Sequence, residues 1–188
     1  ITTRRTEFAG KLGYVFPGKP YQSVGFQLSL ADHGHDSYYG FNVHDARQQS
    51  LYANLIYQSI IKSTEHKFKT GLSFMADDVV ENYAQTFGVN PNQYNFNRKE
   101  IVPGAFLEYE FNNNKKFSTT AGARVDYHNL FGVLFVPRLH VKYDVTPTTT
   151  VRLNAGRGIR VANILIENTG FMASSRTFNR SNLQTGSA

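Results

Sequence analysis

The residues best suited to chemistry lie in Asp32-His33-Gly34-His35-Asp36, where two imidazoles two positions apart are flanked by carboxylates. On a loop, His33 and His35 would offer nitrogen ligands to zinc or copper, but two donors are not a complete site. A second group, Asp77, Asp78 and Glu81, offers oxygen to a hard cation, yet its spacing matches no calcium loop. Both clusters read as polar surface loops, and neither a bound metal nor a cofactor is expected. The sequence holds no nucleophile elbow, phosphate-binding loop or zinc-protease motif. Gly156-x-Gly158 lacks the strand-helix-strand setting of a dinucleotide site. No two carboxylates stand out as general acid and base, so the chain is not expected to be an enzyme.

A longer constellation runs through the second half. Arg124, Asp126, Arg138, His140, Lys142, Asp144 and Arg152 occupy alternate positions of three successive segments. On three antiparallel strands they would share one face. If that face is enclosed, charges of mixed sign would pair across the strands; if it is wet, each contributes little.

The elements that must carry these residues alternate with period two. Phe8, Gly10, Leu12, Tyr14 and Phe16 are followed by Pro17-Gly18-Lys19-Pro20, a turn, and then by Val24, Phe26, Leu28 and Leu30. Leu51 to Tyr57 and Phe68 to Ala76 continue the pattern, the former less cleanly because Ile56 interrupts its polar side. Further runs are Ile101 to Phe111, Phe117 to Tyr127, Phe135 to Val145 and Val151 to Ala155. About eight strands are predicted, with no long helix. Short connections fall near 17–22, 62–66, 112–116 and 146–149. Long ones are expected near 31–47, 77–100 and after 157, with an intermediate one near 128–133.

The chain has 188 residues, 40% hydrophobic and only 18% charged, with 15 Phe, 11 Tyr and no Cys or Trp. One folded body is expected, without disulfides or thiolate metal sites. No apolar run is long enough for a transmembrane helix. The net charge of +6 comes from scattered Lys and Arg, so nucleic acid is not an expected partner. Ile1-Thr2-Thr3-Arg4-Arg5 shows no signal-peptide pattern, and the N-terminus reads as cut or processed.

An alternating strand has two faces and no label. In a soluble barrel or sandwich the apolar side points inward; in an outer-membrane barrel it meets lipid and the polar side lines the interior. Three features favour the membrane. Several strands reach ten residues, and short turns alternate with longer loops. Aromatics also gather beside the short turns, at Tyr14, Phe16, Tyr57, Phe68, Tyr109, Phe111, Phe117 and Tyr143, as a headgroup-level girdle would. The alternatives are a soluble all-β binding or adhesion module and, behind it, a self-contained eight-stranded outer-membrane barrel.

Ala121-Gly122-Ala123-Arg124-Val125-Asp126, Pro137-Arg138 and Gly156-Arg157-Gly158-Ile159-Arg160, with Glu167 downstream, fall in a familiar order. Together with Gln49-Ser50-Leu51-Tyr52, Pro103-Gly104-Ala105-Phe106, Ala162-Asn163-Ile164 and Ala173-Ser174-Ser175-Arg176, they make the chain resemble TonB-dependent outer-membrane receptors, most of all those of the Bacteroidetes. The resemblance implies an all-β chain: an antiparallel transmembrane barrel section of about eight strands, residues 1–188 forming part of a twenty-two-stranded barrel. No plug domain, energy-coupling box or terminal aromatic strand is recognised, so an internal section is expected.

By the same resemblance, the whole protein would take up a scarce nutrient, a siderophore, haem, cobalamin or an oligosaccharide, across a Gram-negative outer membrane. Its partners would be outer-membrane lipid, the small-molecule or glycan substrate, and TonB acting through a plug outside this chain. Substrate contacts would be sought at His33, His35, Arg157, Arg160, Asn163 and Glu167. The row from Arg124 to Arg152 would line the lumen and touch the plug.

Overall fold

The computed structural model describes residues 1–85, 92–113, 116–159 and 161. They form eight strands: β1 Thr2–Val15, β2 Ser23–Tyr39, β3 Asn42–Ile61, β4 Ser63–Gln85, β5 Asn92–Asn112, β6 Phe117–His128, β7 Gly132–Thr146 and β8 Thr149–Gly156. Each pairs antiparallel with the next, giving one sheet in the order β1 to β8. Among the described residues β1 and β8 do not pair with each other, so the sheet is not a self-contained eight-stranded barrel.

The eight predicted strands are present, but residues 31–39, 42–47, 77–85 and 92–100 of the expected long connections are strand and not loop. β2 and β3 pair without a break from Ser23↔Gln58 to Tyr39↔Asn42, around a two-residue turn at Gly40-Phe41. Gly40 takes φ 63°, a left-handed conformation that lets so tight a turn close. β4 and β5 likewise pair as far as Gln85↔Asn92. Backbone pairing needs no apolar side chain, and here both faces mix polar with apolar residues, which removes the alternation of hydrophobicity without removing the strand. The turn between β6 and β7, over 129–131, is short as well.

The register sorts side chains into two faces. One carries Phe8, Leu12 and Tyr14 of β1, then Val24 to Leu30, Leu51 to Tyr57, Phe68 to Ala76, Ile101 to Phe111, Ala121 to Tyr127, Val133 to Val145, and Val151 and Leu153, each at alternate positions. This apolar face is exposed: Leu12 is 76% accessible, Leu72 61% and Leu139 40%. The opposite face is polar and holds the buried residues, among them His44, Asn54, Ser73, Glu81, Glu100, Asp126 and His128. In a single layer, side chains can be buried only by one another, and here they are buried on the polar side. The interior is therefore the polar side.

The apolar face is a band, not the full strand length. The cross-strand row Leu30–Leu51–Ala76–Ile101 is its edge, and the next apolar-side row is Asp32–Gln49–Asp78–Lys99. Beyond it, β2–β3 and β4–β5 continue by nine residues to Tyr39 and Gln85, about 30 Å at strand rise. We call this part the extension.

Candidate functional site

The polar face carries a ladder of charged and hydrogen-bonding groups that begins within the apolar band. Arg124 Nε donates to both carboxylate oxygens of Asp126, at 2.8 and 2.7 Å, and its Nη2 donates to Ser73 Oγ at 2.8 Å. That last bond spans from β6 to β4 across β5. It is possible because the β5 residue in its path is Gly104: a Cβ there would lie 1.8 Å from Asp126 Oδ1 and 2.9 Å from Ser73 Oγ. Lys69 Nζ lies 3.3 Å from Glu108 Oε1 on the neighbouring strand.

Higher up, Arg98 Nε and His128 Nε2 both approach Glu100, at 2.5 and 3.2 Å, with Glu100 and His128 almost wholly buried. Leu130 N–H donates to His128 Nδ1, so that nitrogen is the acceptor and Nε2 carries the proton shared with Glu100. The β6–β7 turn is latched to β5 by Asn129, whose Oδ1 accepts from Ile101 N–H at 2.9 Å and whose Nδ2 donates to Lys99 O at 2.8 Å.

Arg124, Asp126, Arg138, His140, Lys142, Asp144 and Arg152 all occupy this polar face. Their pairing differs from the expectation. Charge pairs run along one strand, Arg124–Asp126 and Lys142–Asp144, because the directly opposite residues of β7 are Val136 for Arg124 and Leu134 for Asp126. Cross-strand contacts are made to neutral groups instead: His140 with Asn154, and Asp144 accepting from Thr150 Oγ1 at 2.6 Å.

The loop cluster dissolves into two faces. His33 and His35 stand on the polar side of β2, while Asp32, Gly34 and Asp36 stand on the other. Imidazoles and flanking carboxylates on opposite sides of a strand cannot share an ion. Asp32 instead accepts from Arg47 Nε at 3.1 Å and Gln49 Nε2 at 3.0 Å. The Gln49 hydrogen bond, then that of Arg47, holds its carboxyl below the usual carboxylate range. Asp77 and Glu81 face the polar side and Asp78 the opposite one. Arg157 follows β8, its N–H donating to Pro137 O at 3.1 Å. Arg160, Asn163 and Glu167 lie outside the described residues.

Sequence reasoning missed what faces His35 from the other strands of the extension. Ser37, His44, Tyr83 and Tyr94 form one cross-strand row, and His35, Ala46, Glu81 and Phe96 the next. Tyr39, Tyr94 and Phe96 pack against Tyr83, which is 1% accessible. Burial lowers the basicity of the His44 ring and raises the Tyr83 hydroxyl above its ordinary range.

An antiparallel meander whose polar side holds the buried residues and whose apolar side is exposed has the polarity of a section of β-barrel wall. The chain matches the family model described as TonB dependent receptor-like, beta-barrel, over residues 3–186, and it belongs to that family. Membership makes it part of a receptor rather than an enzyme and places it in the Gram-negative outer membrane, in place of the soluble module.

Solved structures share the fold at low identity. A chain of the FpvAI–pyocin S2 complex aligns with TM-score 0.62 and 13% identity, over 80% of this chain and 25% of its own. FauA, the alcaligin outer-membrane receptor of Bordetella pertussis, gives 0.58 and 14%, over 81% and 28%. The copper transporter OprC gives 0.57 and 12%, over 82% and 29%. The chain thus spans less than a third of each. No curated protein matches it.

Proposed function

We propose that this chain is wall, inner lining and outer rim of a transmembrane barrel through which the whole receptor takes up a scarce nutrient. The observation that carries the reading is the inverted distribution of polarity. Leu12, Leu72 and Leu139 are bare while Ser73, Glu100 and Asp126 are buried. In water that arrangement forfeits the hydrophobic stabilisation a fold needs; against hydrocarbon it is the favourable one. Strand length agrees, since the apolar stretches Phe68–Ala76 and Ile101–Phe111 span the 9–11 residues that a tilted crossing requires. The aromatics Tyr14, Tyr57, Phe68, Tyr109 and Tyr143 on the apolar face, beside the short turns, suit one headgroup level.

The unpaired edges of β1 and β8 are intolerable inside a bilayer. They pair with flanking strands in a closed barrel of the twenty-two-stranded family type. The ladder from Arg124 to Arg152 faces the lumen, where it meets the plug through which TonB acts. The extension rises from the outer surface. Of the residues sought as substrate contacts, His33 and His35 lie on its inner side, and Arg157, Arg160, Asn163 and Glu167 are assigned to the same role on the following segment. The cargo is a siderophore, haem, cobalamin or oligosaccharide.

Growth and uptake with each cargo as sole source test this in cells with and without the full-length receptor. Accumulation of one class that needs the receptor and stops when an uncoupler collapses the proton-motive force is the expected result. Receptor-dependent accumulation that survives the uncoupler would overturn the reading.

A further inference from the structure

Where the apolar band ends and the extension begins, its apolar side carries a cleft of about 460 Å³. The floor is the cross-strand row Phe8–Leu30–Leu51–Ala76, and the upper wall is the next row, Thr6–Asp32–Gln49–Asp78–Lys99. Ala76 places only a methyl group between Leu51 and Ile101, which deepens the floor. On the upper wall Asp32 is engaged, since it accepts from Arg47 and Gln49. Asp78 and Lys99 stand directly opposite each other, yet neither the carboxylate nor the ammonium forms a hydrogen bond or ion pair among the described residues. One free negative and one free positive group, with Cβ atoms about 5 Å apart, thus overhang an apolar floor. That combination matches the head and chains of an amphiphile.

We propose that this cleft seats one two-chain lipid with a phosphoethanolamine headgroup. Lys99 donates to the phosphate, Asp78 accepts from the ammonium, and the upper part of the chains lies over Phe8, Leu30, Leu51 and Ala76. The charge pattern selects this class. A purely anionic headgroup would satisfy Lys99 and be repelled by Asp78. A divalent cation bridging phosphate to protein needs more oxygens than one free carboxylate offers, and among the described residues no three of His, Cys, Asp and Glu converge. A headgroup bearing both charges gives each side chain a partner as it leaves water. Four strands spaced about 4.8 Å apart make the floor about 14 Å wide, enough for two acyl chains and not for the several of an acylated sugar. The inference rests on the membrane placement of the apolar band in the reading above, not on the identity of the cargo.

The test is native mass spectrometry of the purified full-length receptor in detergent, titrated with dioleoyl phosphatidylethanolamine or with phosphatidylglycerol of the same chains. The wild type should hold one phosphatidylethanolamine at least about threefold more tightly than phosphatidylglycerol, the scale of an exposed ion pair. Asp78→Asn should abolish that preference and leave phosphatidylglycerol binding in place. Lys99→Met should weaken both lipids at least about threefold. Asp45→Asn, on the same face two rows higher, should change neither. Asp78 and Lys99 are exposed, so both variants should fold, and heat-modifiable migration checks barrel assembly. A wild type that holds the two lipids alike would overturn the proposal, as would a preference that survives Asp78→Asn. Tighter retention of an ethanolamine-bearing lipid A than of the two-chain lipid would overturn it too. A receptor that imports cargo while holding both lipids alike defeats this inference and leaves the uptake reading intact.

Discussion

Gly104 and Asp126 face each other across β5 and β6, and the space that a Gly104 side chain would fill is occupied by the Asp126 carboxylate. The absence of one methyl group lets Arg124 reach over β5 to Ser73 on β4, tying three strands together on the polar face. A glycine in the middle of a strand is otherwise a weakness.

Gly104→Ala should therefore push Asp126 aside and break its two-oxygen contact with Arg124. A loss of about 1–3 kcal/mol is expected, read as a lower urea midpoint in detergent. Gly13→Ala, where a Cβ would meet nothing within 4 Å, should leave the midpoint unchanged.

Asn129→Ala removes both side-chain bonds that latch the β6–β7 turn to β5. The expected result is faster amide exchange at Ile101 and in the turn, with a local cost of about 1–2 kcal/mol, while the extension keeps wild-type protection.

The carboxyl of Asp32 is depressed, so its contribution is present above the ordinary value near 3.8 and is lost as pH falls through the lower, folded value. Carbon-13 titration of Asp-labelled receptor should show Asp32 ionising below the usual range. Gln49→Leu, which deletes the largest cause, should move it upward. An unchanged titration would remove Gln49 from the account.

Height along one face should matter as much as the face itself. Leu139 and Val80 are both on the apolar side and both 40% accessible, but Val80 stands beyond the band, two residues above Asp78. Leu139→Arg should cost about 2–4 kcal/mol in refolding into lipid vesicles, and Val80→Arg close to nothing.

Strands within the apolar band are legible in the sequence because one face there is uniformly apolar. The extension is not. Along Asp32-His33-Gly34-His35-Asp36 both faces are polar, so hydrophobicity stops alternating although hydrogen bonding does not. The same blindness hid His44, whose significance comes from Ser37 and Tyr83 on neighbouring strands, distant in sequence from one another. The charged row from Arg124 to Arg152 could be placed on one face from spacing alone. Its partners could not, because Ser73 lies fifty-one positions from Arg124 and the gap at Gly104 has no signature of its own.

The central claim, that the apolar face touches hydrocarbon, is tested most directly by spin-labelling positions 139 to 143 one at a time in the full-length receptor in bilayers. Collision with oxygen, which concentrates in lipid, should peak at 139, 141 and 143. Collision with a water-soluble nickel chelate should peak at 140 and 142. The opposite phase, or no alternation, would contradict the account.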